Sequence, residues 1–189
     1  MSVLERGGSL LSDDLAKQIS EIYEAYYNDL YYFLVYFTNK QEDAEDLTQE
    51  VFSRLLKAWP QYDGRVAMKT WLFSIAKHVA IDHYRKMKWQ RLFSDIWLIR
   101  MMTKEGLPEP ELEMKEEMRL IKEALQRLKP HLRIVVILRY IEEYSVKETA
   151  ELLSIPETKV RVDCHRALQS LKKMLGQSIE GGIINGIAR

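Results

Sequence analysis

The spacing of apolar side chains is the feature that most constrains this fold. Apolar residues recur three and four positions apart along most of the chain, as the first such run shows: Ile19, Ile22, Tyr26, Leu30, Phe33, Leu34 and Phe37. That period places the side chains on one face of an α-helix. The chain has only 8 Gly and 5 Pro in 189 residues, so few positions favour turns. The sequence therefore predicts an all-α protein.

The first half of the chain predicts three helices. The apolar period indicates helices over residues 15–37 and 70–88, with a further helix and then a loop (61–69) between them. Asn39 followed by Glu42 has the pattern of a cap with its reciprocal carboxylate, which would start the second helix. We expect that helix to end at Pro60, because proline lacks the backbone donor that a helix interior requires.

A domain boundary is predicted where the apolar period fades, between about residues 90 and 113. Pro108 and Pro110 cannot continue a helix, and each disfavours helical geometry in the residue before it. The predicted organisation is an N-terminal extension (1–15), a helical domain (16–90), a linker (91–113), a second helical domain (114–176) and a C-terminal tail (177–189). The linker is rich in apolar residues, so we expect it to dock on a partner surface.

A helix-turn-helix is the strongest local pattern, and it lies between residues 145 and 175. Ser145 with Glu148 predicts a capping box for one helix, and Ser154 with Glu157 predicts one for the next. Pro156 then falls in the first turn of the second helix, where a missing donor costs nothing. Two short helices so close together must cross steeply, as in a DNA-binding helix-turn-helix.

The second helix of this motif sorts its residues by face. The inward positions are Val160, Cys164, Ala167, Leu168, Leu171 and Leu175. The outward positions near its start are Thr158, Lys159, Arg161, Val162, His165 and Arg166. A recognition helix contacts base edges with such positions. The alternative is an αα-hairpin with a solvated basic face, and Asp163 is an unusual residue for a helix that faces DNA.

Charge is segregated although the formal net charge of the chain is zero. Five acidic side chains and one lysine lie between Lys40 and Glu50. Seven basic side chains and one acidic side chain lie between Arg65 and Arg91, interleaved with Trp71 and other aromatic residues. An acidic helix face suits a basic partner, and an aromatic and basic mixture suits unpaired bases. The alternatives are solvated helix faces and aromatic rings that simply belong to the core.

Several functional classes find no support in the sequence. One cysteine, Cys164, allows no internal disulfide and favours a reducing cytoplasm, and its place on the inward face suggests packing. The longest apolar runs are far shorter than the roughly 20 residues of a membrane span. There is no phosphate-binding glycine loop, and the four histidines are scattered along the chain, at 78, 83, 131 and 165, with only the first two in one predicted helix. We expect a soluble protein without catalytic residues, metal, cofactor or membrane insertion.

Three segments together resemble the extracytoplasmic-function (ECF) sigma factors, the group 4 members of the sigma-70 family. These are DAEDLTQEVF at 43–52, KTWLFSIA at 69–76 and IPETKVRVDCHRAL at 155–168, in the order and separation of that family. The chain looks similar to the SigX-type members of Gram-positive bacteria. The resemblance implies two helical domains, sigma-70 region 2 and the helix-turn-helix of region 4, which direct RNA polymerase to promoters.

The resemblance also implies residue roles. Binding to core polymerase would involve Asp43, Asp46, Gln49, Glu50 and Phe52. Recognition and melting of the −10 element would involve Arg65, Lys69, Trp71, Phe73, Ser74, Lys77, His78 and Arg85, with a flipped base held near the loop from Tyr62 to Lys69. Contacts to the −35 element would involve Thr158, Lys159, Arg161, Val162, His165 and Arg166.

The partners implied are core RNA polymerase, through its β′ coiled coil and β flap, promoter DNA and an anti-sigma factor. Ser74, His78 and Asp163 depart from residues that are frequent in the family, which leaves the promoter sequence open. The alternative that the residues leave is an ordinary helix-turn-helix regulator with an N-terminal effector domain. That alternative gives no role to the acidic helix or to the aromatic and basic helix.

Overall fold

The computed structural model describes residues 3–98 and 116–175, and all of its regular elements there are helical. The helices are α1 (Val3–Thr38), α2 (Gln41–Ala58), α3 (Met68–Leu98), α4 (Glu116–Arg127), α5 (Pro130–Val136), α6 (Val146–Leu153) and α7 (Glu157–Leu175). A 3₁₀ turn (Trp59–Gln61) follows α2, and a π-helical turn (Ile137–Ile141) follows α5. We call α1–α3 the N-terminal bundle and α4–α7 the C-terminal bundle.

The N-terminal bundle forms because all three of its helices carry apolar stripes that meet in one core. Leu30, Phe33, Leu34 and Phe37 of α1, Val51 and Leu55 of α2, and Leu72, Phe73 and Ala76 of α3 are almost completely buried. Burying a side chain of the size of leucine or phenylalanine contributes about 1.5–3 kcal/mol. The stripes predicted from the sequence are therefore the stripes that pack.

The junction between α1 and α2 differs from the prediction. Asn39 does not cap α2: it lies in the left-handed region at φ 61°, after the last turn of α1. The N-cap residue of α2 is Lys40, which makes no side-chain capping bond. The Thr38 hydroxyl bonds the Leu34 carbonyl (2.8 Å) and accepts from the Lys40 amide (3.2 Å). Asparagine tolerates left-handed geometry, so here it ends one helix instead of starting the next.

The third helix is longer than predicted. It begins at Met68 and continues to Leu98, eight residues into the segment predicted as a linker. No proline or glycine lies between residues 68 and 98, so no residue there interrupts the backbone hydrogen bonds. The rest of the predicted linker and the whole predicted tail lie outside the described residues.

The C-terminal bundle contains the predicted helix-turn-helix in α6 and α7. The capping box of Ser145 and Glu148 is confirmed: the Glu148 amide donates to the Ser145 hydroxyl, and the Ser145 amide donates to the Glu148 carboxylate. The second predicted box is wrong. Ser154 lies at φ 55° in the left-handed turn that ends α6, and α7 begins at Glu157 with the Pro156 carbonyl accepting its first backbone bonds.

One apolar cluster joins the two bundles. Its buried members from the N-terminal bundle include Phe33 and Phe73, and those from the C-terminal bundle are Ile134, Ile137, Leu138, Tyr144 and Leu152. A separate cluster holds α4, α5 and α7 together, and a third packs α5 against the helix-turn-helix through Val135, Ala150 and Val160. The all-α prediction with two helical domains is confirmed, and the two domains pack against each other along what we call the seam.

Candidate polymerase and promoter interfaces

The acidic face of α2 projects away from the core. Asp46, Gln49 and Glu50 are exposed, whereas Ala44 before them and Val51 after them are fully buried. The Glu50 carboxylate accepts from Arg54 at 2.8 Å, and Arg54 also reaches Asp82 of α3 at 3.1 Å. This network fixes the orientation of the acidic face relative to α3.

Two other residues predicted for the same surface are buried or half-buried instead of exposed. The Phe52 ring is buried against the ring of Tyr23, with the centroids 4.7 Å apart. Asp43 is half-buried, and its carboxylate lies 3.5 Å from the Nε2 atom of His83. Phe52 therefore supports the exposed face from beneath, and Asp43 ties α2 to α3.

The loop before α3 is organised by stacked aromatic rings. Tyr62 stacks on Trp71 with the ring centroids 4.5 Å apart and the planes tilted by 22°, and Trp59 lies 6.3 Å from Trp71. The Tyr62 hydroxyl donates to the Val66 carbonyl at 2.7 Å, which closes the loop. Arg65 at the loop tip has 86% of its side chain exposed. The loop thus offers partly exposed rings beside an exposed cation, whose Nε atom lies 3.1 Å from the Asp63 carboxylate.

The predicted −10 residues along α3 divide into two groups. His78 and Arg85 are exposed, and the Ser74 hydroxyl donates to the Trp71 carbonyl at 2.6 Å within the helix. Lys69, Phe73 and Lys77 instead lie on the side of α3 that contacts the C-terminal bundle. Phe73 is completely buried. Its ring therefore belongs to the core, which is the alternative given above for the aromatic residues of this helix.

The outward face of α7 is as predicted. Thr158, Lys159, Arg161, Val162, His165 and Arg166 are all exposed, and the inward residues are buried or half-buried. Arg161 pairs with Glu157 at 3.0 Å across one turn of helix.

Asp163 faces inward, which resolves its unusual place in a recognition helix. Only 2% of its side chain is exposed, and it pairs with Lys159 at 2.7 Å. The Cys164 thiol is buried, and burial raises its pKa, so the thiolate that would be reactive is disfavoured. No local sequence pattern marks the polar residues at the seam, Gln126, Arg133 and Glu142, so their role is visible only in the structure.

Among residues 3–98 and 116–175, no group of three or more His, Cys, Asp or Glu side chains is placed to hold a metal ion. None of the helices in that part of the chain combines the length and the apolar character needed to cross a membrane.

Each of the two bundles matches a known protein family. Residues 22–90 match the family model of Sigma-70 region 2, and residues 118–171 match that of Sigma-70, region 4. The ECF RNA polymerase sigma factor SigX of Bacillus subtilis is 40% identical over 156 residues, which cover 80% of each chain. The RNA polymerase sigma factor YlaC of the same organism is 32% identical over 165 residues, covering 86% of this chain and 94% of the relative.

Solved structures agree in fold. The sigma factor RpoE of Bartonella quintana, in complex with the anti-sigma factor NepR, superposes with a TM-score of 0.67 at 19% identity over 88% of this chain and 98% of the other. CnrH in complex with the cytosolic domain of CnrY gives 0.64 at 21% identity over 85% and 88%. With matches to regions 2 and 4 and 40% identity to an ECF member, this chain belongs to the ECF sigma factors of the sigma-70 family.

Proposed function

We propose that this chain binds core RNA polymerase through the acidic face of α2 and reads promoter DNA with α3 and α7. The observation that carries this assignment is the separation of an exposed acidic face on one bundle from an exposed basic face on the other. A single binding surface would not need opposite charges on two bundles. Two partners of opposite charge account for both faces.

The polymerase surface is centred on Asp46, Gln49 and Glu50. Their exposed carboxylates and amide suit a basic partner surface, which we assign to the β′ coiled coil. Phe52 and Asp43 belong to this site as supports, because their side chains pack against Tyr23 and lie beside His83. The β flap is the expected polymerase contact of the C-terminal bundle.

The −10 reader combines the aromatic loop with α3. Trp71, stacked on Tyr62, offers a face on which a base could stack, and Arg65 and Arg85 are exposed cations that could contact phosphates. Extruding a base costs a few kcal/mol, which stacking and phosphate contacts must offset. The remaining residues predicted for −10 recognition are His78, Ser74, Lys69, Phe73 and Lys77.

The −35 reader is the exposed face of α7. Arg161 and His165 lie one turn apart, as do Val162 and Arg166, so both pairs can face one major groove. Glu157 holds Arg161 in the free chain and would release it to guanine or phosphate.

We also infer control by an anti-sigma factor and a cytoplasmic site of action, without a catalytic role for the chain. One structure of similar fold holds the sigma factor RpoE in complex with the anti-sigma factor NepR.

Gel filtration with core polymerase tests the proposed function. We expect the chain to co-elute with core enzyme and to bind duplex DNA of random sequence weakly by itself at physiological salt, because its net charge is zero. Tight binding to an operator duplex, with no co-elution, would instead identify an autonomous helix-turn-helix regulator.

A further inference from the structure

Two ion pairs with the same spacing lie in the first half of α7. Arg161 pairs with Glu157 at 3.0 Å, and Lys159 pairs with Asp163 at 2.7 Å, each across one turn of the helix. Both cations belong to the exposed face that is predicted to contact the −35 element. The two pairs differ in the burial of the carboxylate, because 44% of the Glu157 side chain is exposed and only 2% of the Asp163 side chain.

The Asp163 carboxylate is enclosed beside a groove that apolar side chains of α3, α5 and α6 line. Each of its oxygens accepts from the Lys159 ammonium, at 2.9 Å for Oδ1 and 2.7 Å for Oδ2. Three further basic side chains line the groove: Lys77, Arg85 and His131. Within residues 3–98 and 116–175, Lys159 is the one basic side chain that forms an ion pair with Asp163. Lys159 therefore compensates the buried charge.

The two pairs should respond differently when DNA approaches α7. Opening the exposed pair returns the Glu157 carboxylate to water, and exposed ion pairs contribute little to stability. Opening the buried pair would leave the Asp163 carboxylate desolvated and without a counter-ion, which is strongly unfavourable. DNA can therefore recruit Arg161 at a small cost in free energy, whereas recruiting Lys159 would strand a buried charge.

The stability of α7 alone does not account for the buried pair. Lys159 is the third residue of the helix, and a cation in the first turn opposes the helix dipole. An acidic residue four positions before a basic one is the favourable order, which Glu157 and Arg161 follow and which Lys159 and Asp163 reverse. The buried pair therefore indicates a role in what α7 presents to DNA.

We propose that Asp163 is a positioning residue for −35 recognition, which keeps Lys159 from the DNA phosphates while α7 occupies the major groove. This inference rests on the proposed function of α7, and it removes Lys159 from the −35 contacts that the resemblance implied. Phosphate contacts add affinity for every sequence, whereas contacts to base edges discriminate between sequences. By withholding one ammonium from phosphate, Asp163 lowers the affinity for random DNA and raises the ratio of specific to non-specific binding.

Substitutions of Asp163 should free Lys159. Asp163→Ala removes both acceptor oxygens, and Asp163→Asn removes the charge at nearly constant size. Glu151→Gln is the control for net charge, because it also removes one negative charge, from an exposed position of α6. Circular dichroism verifies the helices of each variant, and the asparagine variant decides the outcome if the alanine variant has lost them.

Two double variants test whether Lys159 is the cation that is freed. Lys159→Met, combined with either Asp163 substitution, removes the ammonium and keeps an unbranched apolar side chain. Lys173→Met, combined with the same substitution, is the matched control, because it makes the same charge change at an exposed position in the last turn of α7. A general effect of net charge would be the same in both double variants.

The measurement is the affinity of the full-length chain for a labelled duplex of random sequence, by fluorescence anisotropy at several low salt concentrations. One additional phosphate contact steepens the slope of log affinity against log salt by about 0.9. We expect the Asp163 variants to show this steeper slope and to bind at least about threefold more tightly than Glu151→Gln at the lowest salt. Adding Lys159→Met should abolish both changes, and adding Lys173→Met should leave most of them.

Equal slopes in the Asp163 variants and in Glu151→Gln would overturn the inference, as would a steeper slope that survives Lys159→Met. A second measurement addresses specificity: holoenzyme selects from duplexes that are randomised around −35, and the bound fraction is sequenced. We expect weaker enrichment by Asp163→Ala than by the wild type, and unchanged enrichment would contradict the effect on specificity. Wild-type holoenzyme that enriches no −35 sequence would refute the proposed function of α7, whatever the slopes show.

Discussion

The Glu142 carboxylate lies 3.8 Å from the Lys69 ammonium across the seam. Only 8% of the Glu142 side chain is exposed, and burial raises its pKa from an ordinary value of 4.5 to about 7, against the opposing attraction of Lys69. The folded chain therefore binds this proton more tightly than the unfolded chain does. It follows that the contribution of Glu142 to stability is greatest at low pH and is lost as the pH rises from about 4.5 through 7.

We expect the free energy of unfolding of the wild type to fall between pH 5 and pH 8. This fall should exceed that of Glu142→Gln by on the order of 1–3 kcal/mol. Urea unfolding at both pH values measures the difference, and Glu151→Gln, at an exposed position, is the control. If Glu142→Gln kept the full wild-type pH dependence, the assignment of the raised pKa to Glu142 would be contradicted.

The acidic face of α2 should determine polymerase affinity. Asp46→Arg reverses an exposed charge at its centre and should weaken binding to core polymerase at least tenfold, with the fold intact. Glu42→Arg makes the same change in the first turn of the same helix, outside the proposed surface, and should have a much smaller effect. Anisotropy of labelled chain titrated with core enzyme distinguishes the two, and equal losses would count against the proposed surface.

The face of α7 should determine −35 recognition. Arg161→Ala removes a proposed base contact, for which discrimination of about 1–3 kcal/mol is typical. We expect holoenzyme affinity for a −35-containing duplex to fall roughly five- to a hundredfold, with unchanged affinity for core polymerase. Lys173→Ala, in the last turn of α7, should leave both affinities near wild type. Loss of polymerase binding in Arg161→Ala would be incompatible with a role confined to DNA.

The aromatic loop should act on single-stranded DNA. Stacking of one base on an aromatic ring contributes about 1–3 kcal/mol, so Trp71→Ala should reduce holoenzyme binding to single-stranded −10 DNA about tenfold or more. Trp59→Ala removes a neighbouring ring that is not assigned to DNA and serves as the control. Thermal melting of both variants shows whether either has lost its fold. If the two variants were equally stable and bound the DNA with similar affinity, the role of Trp71 would be refuted.

Local patterns predicted the helices and the two exposed faces well. The buried and exposed sides of α7 follow directly from residue spacing, because amphipathic periodicity is a property of one helix. The capping signals were less reliable. Asparagine and serine occur both at helix starts and in left-handed turns, and neighbouring residues decide which they adopt: Asn39 and Ser154 both ended helices.

The seam could not be predicted because it depends on contacts between distant residues. Arg133 and Phe37 are 96 positions apart, and neither has a neighbour pattern that points to the other. The partial burial of Lys69 and Lys77 follows from the same contacts. Asp163 shows a smaller version of the problem: its burial depends on how α7 packs, although its ion pair with Lys159 spans only one turn.

Promoter-specific initiation is the most direct measurement of the central claim. Core polymerase should be incubated with the purified chain on a library of genomic duplex fragments from the source organism, and the 5′ ends of the transcripts should be sequenced. The account predicts new start sites that depend on the chain, share upstream sequences near −10 and −35, and lose the −35 preference with Arg161→Ala. Transcription that is unchanged by the chain, while the chain binds duplex DNA unaided, would contradict it.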